Sequence, residues 1–380
     1  MMRQMSNSRR ESGVELLKVI AILLIVLCHT SISMTFNSEN AAAEWYYDVN
    51  LLPNSFNKIL LTLYSYCGYI GNSIFFVCSA WFLLEKKQNR KRKILNLETD
   101  VWIISAIYLV VFLLSRIHLN GSTILRALAP TTFNNNWFVT AYMLFYFIYP
   151  GLNRIIENTS RTNLKYGCLF FALLICIWVP FFQQWTDFKF YFSYPLMWVL
   201  VYFCIAYLKT YHRDTISKRW FSITVLCIGI FGLFGEIAAT YYLGEYSFLI
   251  GGDGMRWNMW YNPFHWFIAF GSFTLFRSFR FHSSFINRLS SLSLLIYLIH
   301  ENFLLREYWR PHIYEFIYNR FHNEHVSSLL FLFALLTFIV SAIVAFLYQV
   351  SVQKLAYRIV DTVCNTIKRL FSRFSSHPLQ

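Results

Sequence analysis

The sequence predicts an all-α fold: a polytopic membrane bundle of about ten transmembrane helices with both termini cytoplasmic. Three observations predict it. Only 14% of the 380 residues are charged, against 57% hydrophobic and 20% aromatic, whereas soluble domains carry about 25% charged residues. Apolar runs recur along the whole chain, separated by short polar segments. Lys and Arg then divide about three to one between alternate segments, which is the positive-inside pattern. The net charge of +14 is therefore a topology signal, and nucleic acid is excluded as a partner.

The elements follow in order. Residues 1–13 form a basic cytoplasmic N-terminus with Arg3, Arg9 and Arg10. The first helix is expected over Val14–Met34; it is too long for a signal-peptide core and is read as retained. An acidic, aromatic external loop (35–57) leads to a second helix over Ile59–Leu84. The basic run Lys86–Lys93 precedes a third helix over Val101–Ile117. A loop ending Asn134-Asn135-Asn136 precedes a fourth helix, opened by Trp137 and closed by Pro150-Gly151. Helices five to eight are expected over Tyr166–Phe182, Tyr194–Leu208, Trp220–Leu243 and Pro263–Phe276. Helix nine covers Leu289–Leu305 and, after a long polar loop, helix ten covers Val326–Val350. Residues 14–350 thus make one transmembrane domain, and 351–380 a basic tail. In that tail Leu355, Ile359, Val363, Ile367 and Leu370 mark an amphipathic helix for the inner membrane surface.

The polar residues inside apolar runs carry the functional information. Ionisable groups at a helix centre cost about 2.5–3.5 kcal/mol each and are usually functional. Helix one carries Glu15, Lys18 and His29. Lys18 and His29 are eleven residues apart, so they share one helix face, about 16 Å apart along the axis. Glu15 and Lys18 are also spaced to pair with each other near the inner surface. Glu236 is an intramembrane carboxylate in helix seven. Asn72 and Ser79 lie among small residues of helix two, where packing is the bland explanation. Asn136 reads as a cap for helix four, with Trp137 as an interfacial anchor or a ligand contact. Helix nine ends His300-Glu301, which by itself reads as an outer helix end. Trp45, Trp185, Trp257 and Trp260 lie in external loops, where they are anchors or sugar platforms. The eight cysteines show no metal-ligand spacing and no pairing pattern, so neither a metal site nor a disulfide is expected.

Four stretches together resemble the acyltransferase family 3 membrane proteins, which O-acylate cell-surface carbohydrates. Lys18 with His29 is similar to the family's basic-residue, ten-residue-gap, histidine motif. Phe75-Phe76-Val77-Cys78-Ser79-Ala80-Trp81 resembles its Phe-Phe-x-x-Ser-Gly-Tyr stretch. Asn136-Trp137-Phe138 and Tyr297-Leu298-Ile299-His300 complete the set. There are departures from the pattern: Lys18 replaces Arg, Ala80 replaces Gly, and Asn96 replaces the second cation of a paired-basic motif.

The resemblance implies an O-acetyltransferase of the cell (plasma or inner) membrane. Its donor would be cytosolic acetyl-CoA, with no permanently bound cofactor. The acceptor would be a hydroxyl of a surface polysaccharide or its lipid-linked precursor. Lys18, Arg92 and Lys93 would hold the donor's phosphates. His29 would act as general base, or carry the acyl group itself, with Glu15 or Glu236 orienting an imidazole or a cation. Trp137, Tyr142, His300 and Asn72 would contact substrate. No Gly-x-Ser-x-Gly elbow is present, so a serine acyl-enzyme is not expected. A rival reading is a non-catalytic carrier that uses the same intramembrane charges to move a lipid-linked sugar or acyl group.

Overall fold

A computed structural model describes residues 12–35, 56–88, 91–178, 193–243, 262–321 and 325–375. Most of those residues are helical, with no strand among them. The external-loop aromatics Trp45, Trp185, Trp257 and Trp260 lie outside the described residues.

The centre is a pair of long helices, α1 (Ser12–Thr35) and α2 (Phe56–Leu83). Leu17, Ala21, Ile22, Ile25 and Val26 of α1 are fully buried. Glycines let α2 approach closely: a Cβ on Gly71 would stand 2.5 Å from the Ala21 carbonyl oxygen, and one on Gly68 2.5 Å from Cys28 Sγ. Around the pair lie α3 (Lys91–Leu114), α4 (Gly121–Leu128), α5 (Trp137–Asn158) and α6 (Arg161–Leu173). They are followed by α7 (Ser193–Tyr211), α8 (Arg219–Leu243) and α9 (Pro263–Arg277). The chain continues through α10 (Ser284–Ser291), α11 (Ser293–His300), α12 (Arg310–Phe321), α13 (Val326–Tyr348) and α14 (Lys354–Ser375). Helix α1 packs against α2, α9, α10, α11 and α13, so it touches both flanks of the bundle.

Among the described residues, five stretches are long and apolar enough to cross a membrane: Ser12–Ser31, Ile59–Leu83, Lys91–Leu114, Arg219–Ala239 and Val326–Ile367. The outer face supports that reading. Helix α13 exposes Leu332, Leu336, Ile339, Ile343 and Leu347 while burying Ser327 and Ser341. Apolar side chains outside and small polar ones inside is the pattern a lipid solvent selects.

Several boundaries differ from the sequence expectation. Helix α3 begins at Lys91 rather than Val101, because the basic run continues the helix instead of preceding it. Helix α5 runs through Pro150 to Asn158. A proline removes one backbone bond, but side chains on both sides of it hold the segment in place. Tyr149 donates to the Gln88 carbonyl at 2.7 Å, and Asn153 donates to the carbonyls of Leu83 and Lys86 at 3.1 and 2.9 Å. The expected ninth span is two eight-residue helices broken at Leu292. The long polar loop after it is helical, a π turn over Leu305–Trp309 followed by α12. The tail forms α14, with Leu355, Ile359, Val363 and Ile367 exposed at four-residue spacing. All eight cysteines are free thiols.

Candidate active site

His29 lies in the last third of α1, beside the end of α11. Its Nδ1 is 3.0 Å from His300 Nε2, and the two rings stack 5.2 Å apart. His300 is fully buried, and its Nδ1 is 2.7 Å from the Ile296 carbonyl oxygen. A carbonyl only accepts, so His300 Nδ1 is the donor there. In neutral His300, Nε2 then accepts, and His29 Nδ1 must carry a proton to meet it. Glu301 Oε2, 3.2 Å from His29 Nδ1, asks for the same proton. Both partners therefore fix one tautomer of His29, with the lone pair on Nε2.

Glu301 is itself held by cations. Arg306 donates to Oε1 at 3.0 Å, and Arg310 reaches Oε2 at 3.2 Å. Arg310, only 3% exposed, also donates to the His300 carbonyl and, at 3.3 Å, to the His29 carbonyl. It thereby ties α1 to the end of α11. Tyr314 adds a bond to the Thr30 carbonyl at 2.7 Å. His29, His300 and Glu301 present ligand-type atoms within 4.8 Å of one another. With Arg306 and Arg310 on the carboxylate, the trio is built as a charge-compensated hydrogen-bond cluster rather than a divalent-cation site.

His29 lines a cavity of about 660 Å³. Its other walls come from α2 (Gly68, Tyr69, Asn72) and from Asn134 and the first turns of α5 (Trp137, Thr140). Asn134 has φ 53°, a left-handed conformation that asparagine tolerates, just before the chain enters α5. Asn72 is 4% exposed, and its Oδ1 has no hydrogen-bond partner among the described residues. Asn136, expected as a cap, makes no side-chain bond to the first turn. The Asn136 carbonyl instead accepts from the Val139 and Thr140 amides, so the backbone does the capping.

A second cavity, of about 390 Å³, opens on the other side of α5. Lys93, Asn96, Asp100, Tyr142, Phe138 and Tyr357 line it. Lys93 donates to the Tyr142 hydroxyl at 2.6 Å. Phe138 stands between the cavities, its ring 6.2 Å from Tyr297, which in turn lies 6.1 Å from the His29 ring.

The sequence-predicted residues therefore separate into groups. His29, His300, Asn72 and Trp137 come together. Lys93 and Tyr142 meet in the second cavity. Lys18 pairs with Glu15 at 3.2 Å, and the Ser290 hydroxyl donates to the other Glu15 oxygen. Glu15 thus sits about four turns from His29 and is a partner of Lys18, as its spacing allowed. Glu236 accepts from Asn262 Nδ2 at 2.7 Å and does not line the His29 cavity. Arg92 is engaged by Asp361 and by the Tyr357 carbonyl of α14. Sequence reasoning gave Glu301 no role beyond an outer helix end and missed Arg306 and Arg310. The signal was there in the spacing of two arginines after a carboxylate, but the segment was read as a loop.

Residues 11–349 match a family model described as the acyltransferase domain of acyltransferase family 3. No curated protein and no solved structure matches the chain. With most of its length matched, the chain belongs to acyltransferase family 3 and is a membrane acyltransferase.

Proposed function

We propose that the chain transfers an acetyl group from cytosolic acetyl-CoA to a hydroxyl of a surface polysaccharide or its lipid-linked precursor. His29 is the general base of this reaction. The observation that carries the reading is the fixed tautomer of His29 on the wall of a cavity that also presents Asn72 and Trp137.

An alcohol is a poor nucleophile at neutral pH. His29 Nε2 takes its proton as the hydroxyl oxygen attacks the thioester carbon. Glu301 and His300 hold Nδ1–H and stabilise the imidazolium that forms, the part a buried carboxylate plays in a Ser-His-Asp triad. The Asn72 amide, on the wall of the same cavity, is the donor to the oxyanion in this reading. Collapse of the tetrahedral intermediate expels the thiolate of coenzyme A, which takes the proton back from His29. The orienting carboxylate in this scheme is Glu301, in place of Glu15 or Glu236.

The chain spans the cell membrane many times, with 1–13 and 351–380 in the cytoplasm. Lys and Arg distribution supports that orientation. The donor's acyl arm enters through the second cavity at Lys93 and passes Phe138 toward His29. Lys18 adds positive potential at the same end, while Arg92 serves mainly to dock α14. The exposed apolar stripe of α14 lies on the inner membrane surface. The test is transfer of label from acetyl-CoA to isolated surface glycan by the purified protein. Transfer with any acyl-CoA supports an enzyme. Export of a lipid-linked sugar without transfer would favour a carrier.

A further inference from the structure

A third cavity, of about 310 Å³, lies where α2, α7 and α9 end. It shares no lining residue with the other two. Its walls carry three cations, Lys209, Arg213 and Arg277, against the carboxylates Glu85 and Glu157. Lys209 uses two of its three N–H donors: Nζ lies 2.8 Å from Glu85 Oε1 and donates to the Trp81 carbonyl at 2.7 Å. The two guanidiniums are not committed. Among the described residues, neither the Arg213 nor the Arg277 side chain makes an ion pair or a hydrogen bond, and Glu157 pairs with neither of them.

Arg277 is half-buried, its Cζ 4.3 Å over the Trp81 ring, and Lys209 Nζ lies over the same ring at 4.5 Å. A guanidinium carries five donors, and a partly desolvated one that meets no acceptor is costly. The neighbouring Arg213 charge adds like-charge repulsion that Glu85 offsets only in part. An anion in the cavity relieves both terms. Two planar forks and an ammonium offer donors to more than two oxygens, which a phosphate group supplies and a carboxylate does not.

We infer that Lys209, Arg213 and Arg277 form a binding site for a phosphate group, separate from the acyl-transfer cavity. The inference does not depend on the acyl-transfer scheme. Two sources present this chemistry: the phosphate ester of a soluble nucleotide and the phosphodiester of a membrane lipid headgroup. The volume admits a phosphorylated head rather than a whole dinucleotide.

The test uses the full chain purified in an uncharged detergent, with thermal unfolding followed by tryptophan fluorescence. One series adds 3′,5′-ADP and the other adds phosphatidylglycerol in mixed micelles. A saturable rise in the unfolding midpoint is expected with one probe, which identifies the source. The apparent affinity should fall about tenfold or more in Arg277→Gln and in Arg213→Gln. Arg213 is exposed, so its variant keeps the fold and gives a readout even if Arg277→Gln is unstable. No saturable rise with either probe overturns the inference. Equal rises in wild type and Arg213→Gln overturn it too.

Discussion

Replacing Glu301 with glutamine removes one charge and almost no volume from the candidate active site. In the wild type Oε1 accepts from Arg306 at 3.0 Å, while Oε2 lies 3.2 Å from both Arg310 and His29 Nδ1. The glutamine amide must place an NH₂ at one of these positions, facing another donor. For stability, the exposed term is Arg310, only 3% accessible. Removing one member of a buried ion pair costs about 3–5 kcal/mol when the other is left bare. Arg310 keeps its bonds to the carbonyls of His29 and His300, so a loss of about 1–3 kcal/mol is expected. For catalysis, changing the carboxylate of a Ser-His-Asp triad to an amide costs about 10⁴ in kcat. His300 Nε2, 3.0 Å away, still accepts from His29 Nδ1, so part of the tautomer bias survives. The expected fall in kcat for Glu301→Gln is therefore on the order of 10²–10³, with donor KM little changed. The assay is transfer of labelled acetyl groups to isolated glycan by purified protein, with unfolding midpoint and monodispersity checked alongside. A folded variant that transfers at the wild-type rate would refute the reasoning.

Three further outcomes are expected. Lys93→Gln should raise the acetyl-CoA KM several-fold with kcat nearly unchanged, because Lys93 lines the second cavity and does not touch His29; an unchanged KM removes it from the donor path. Gly71→Ala should lower stability by about 1–3 kcal/mol in thermal unfolding, since the added Cβ meets the backbone oxygen of Ala21. An unchanged midpoint would contradict the close α1–α2 approach. Single cysteines labelled in intact cells by an impermeant maleimide should react within 35–57 and stay protected within 86–93; the reverse pattern would invert the topology.

The candidate site was legible in the sequence where one residue broke a local rule. His29 stood out because an imidazole in an apolar helix is costly, and Asn72 and Trp137 because they sit at the starts and seams of apolar runs. Residues whose meaning lies in their partners were not legible. His29 and His300 are 271 positions apart, and no spacing rule links α1 to α11. Glu301 follows the last helical residue of α11, where a carboxylate normally meets water. Only the fold of the next segment, the π turn and α12, brings Arg306 and Arg310 back onto it. The extent of α5 was misread for a related reason. Pro150 ends a helix by local rules, and the bonds that override it, from Tyr149 and Asn153, are tertiary. Helix existence came through where hydropathy was continuous, as in α1, α2, α8 and α13. It failed where polar contacts, rather than lipid or core, hold a helix in place, as in α4 and α12.

The central claim is that His29 Nε2 removes the acceptor's proton. It is tested most directly by transfer from labelled acetyl-CoA to isolated glycan with His29→Ala, measured beside acetyl-CoA binding to the same protein. The account predicts that transfer is abolished while donor binding is retained, because the donor's phosphates are held at the other end of the bundle. Wild-type transfer by a folded His29→Ala protein would contradict it.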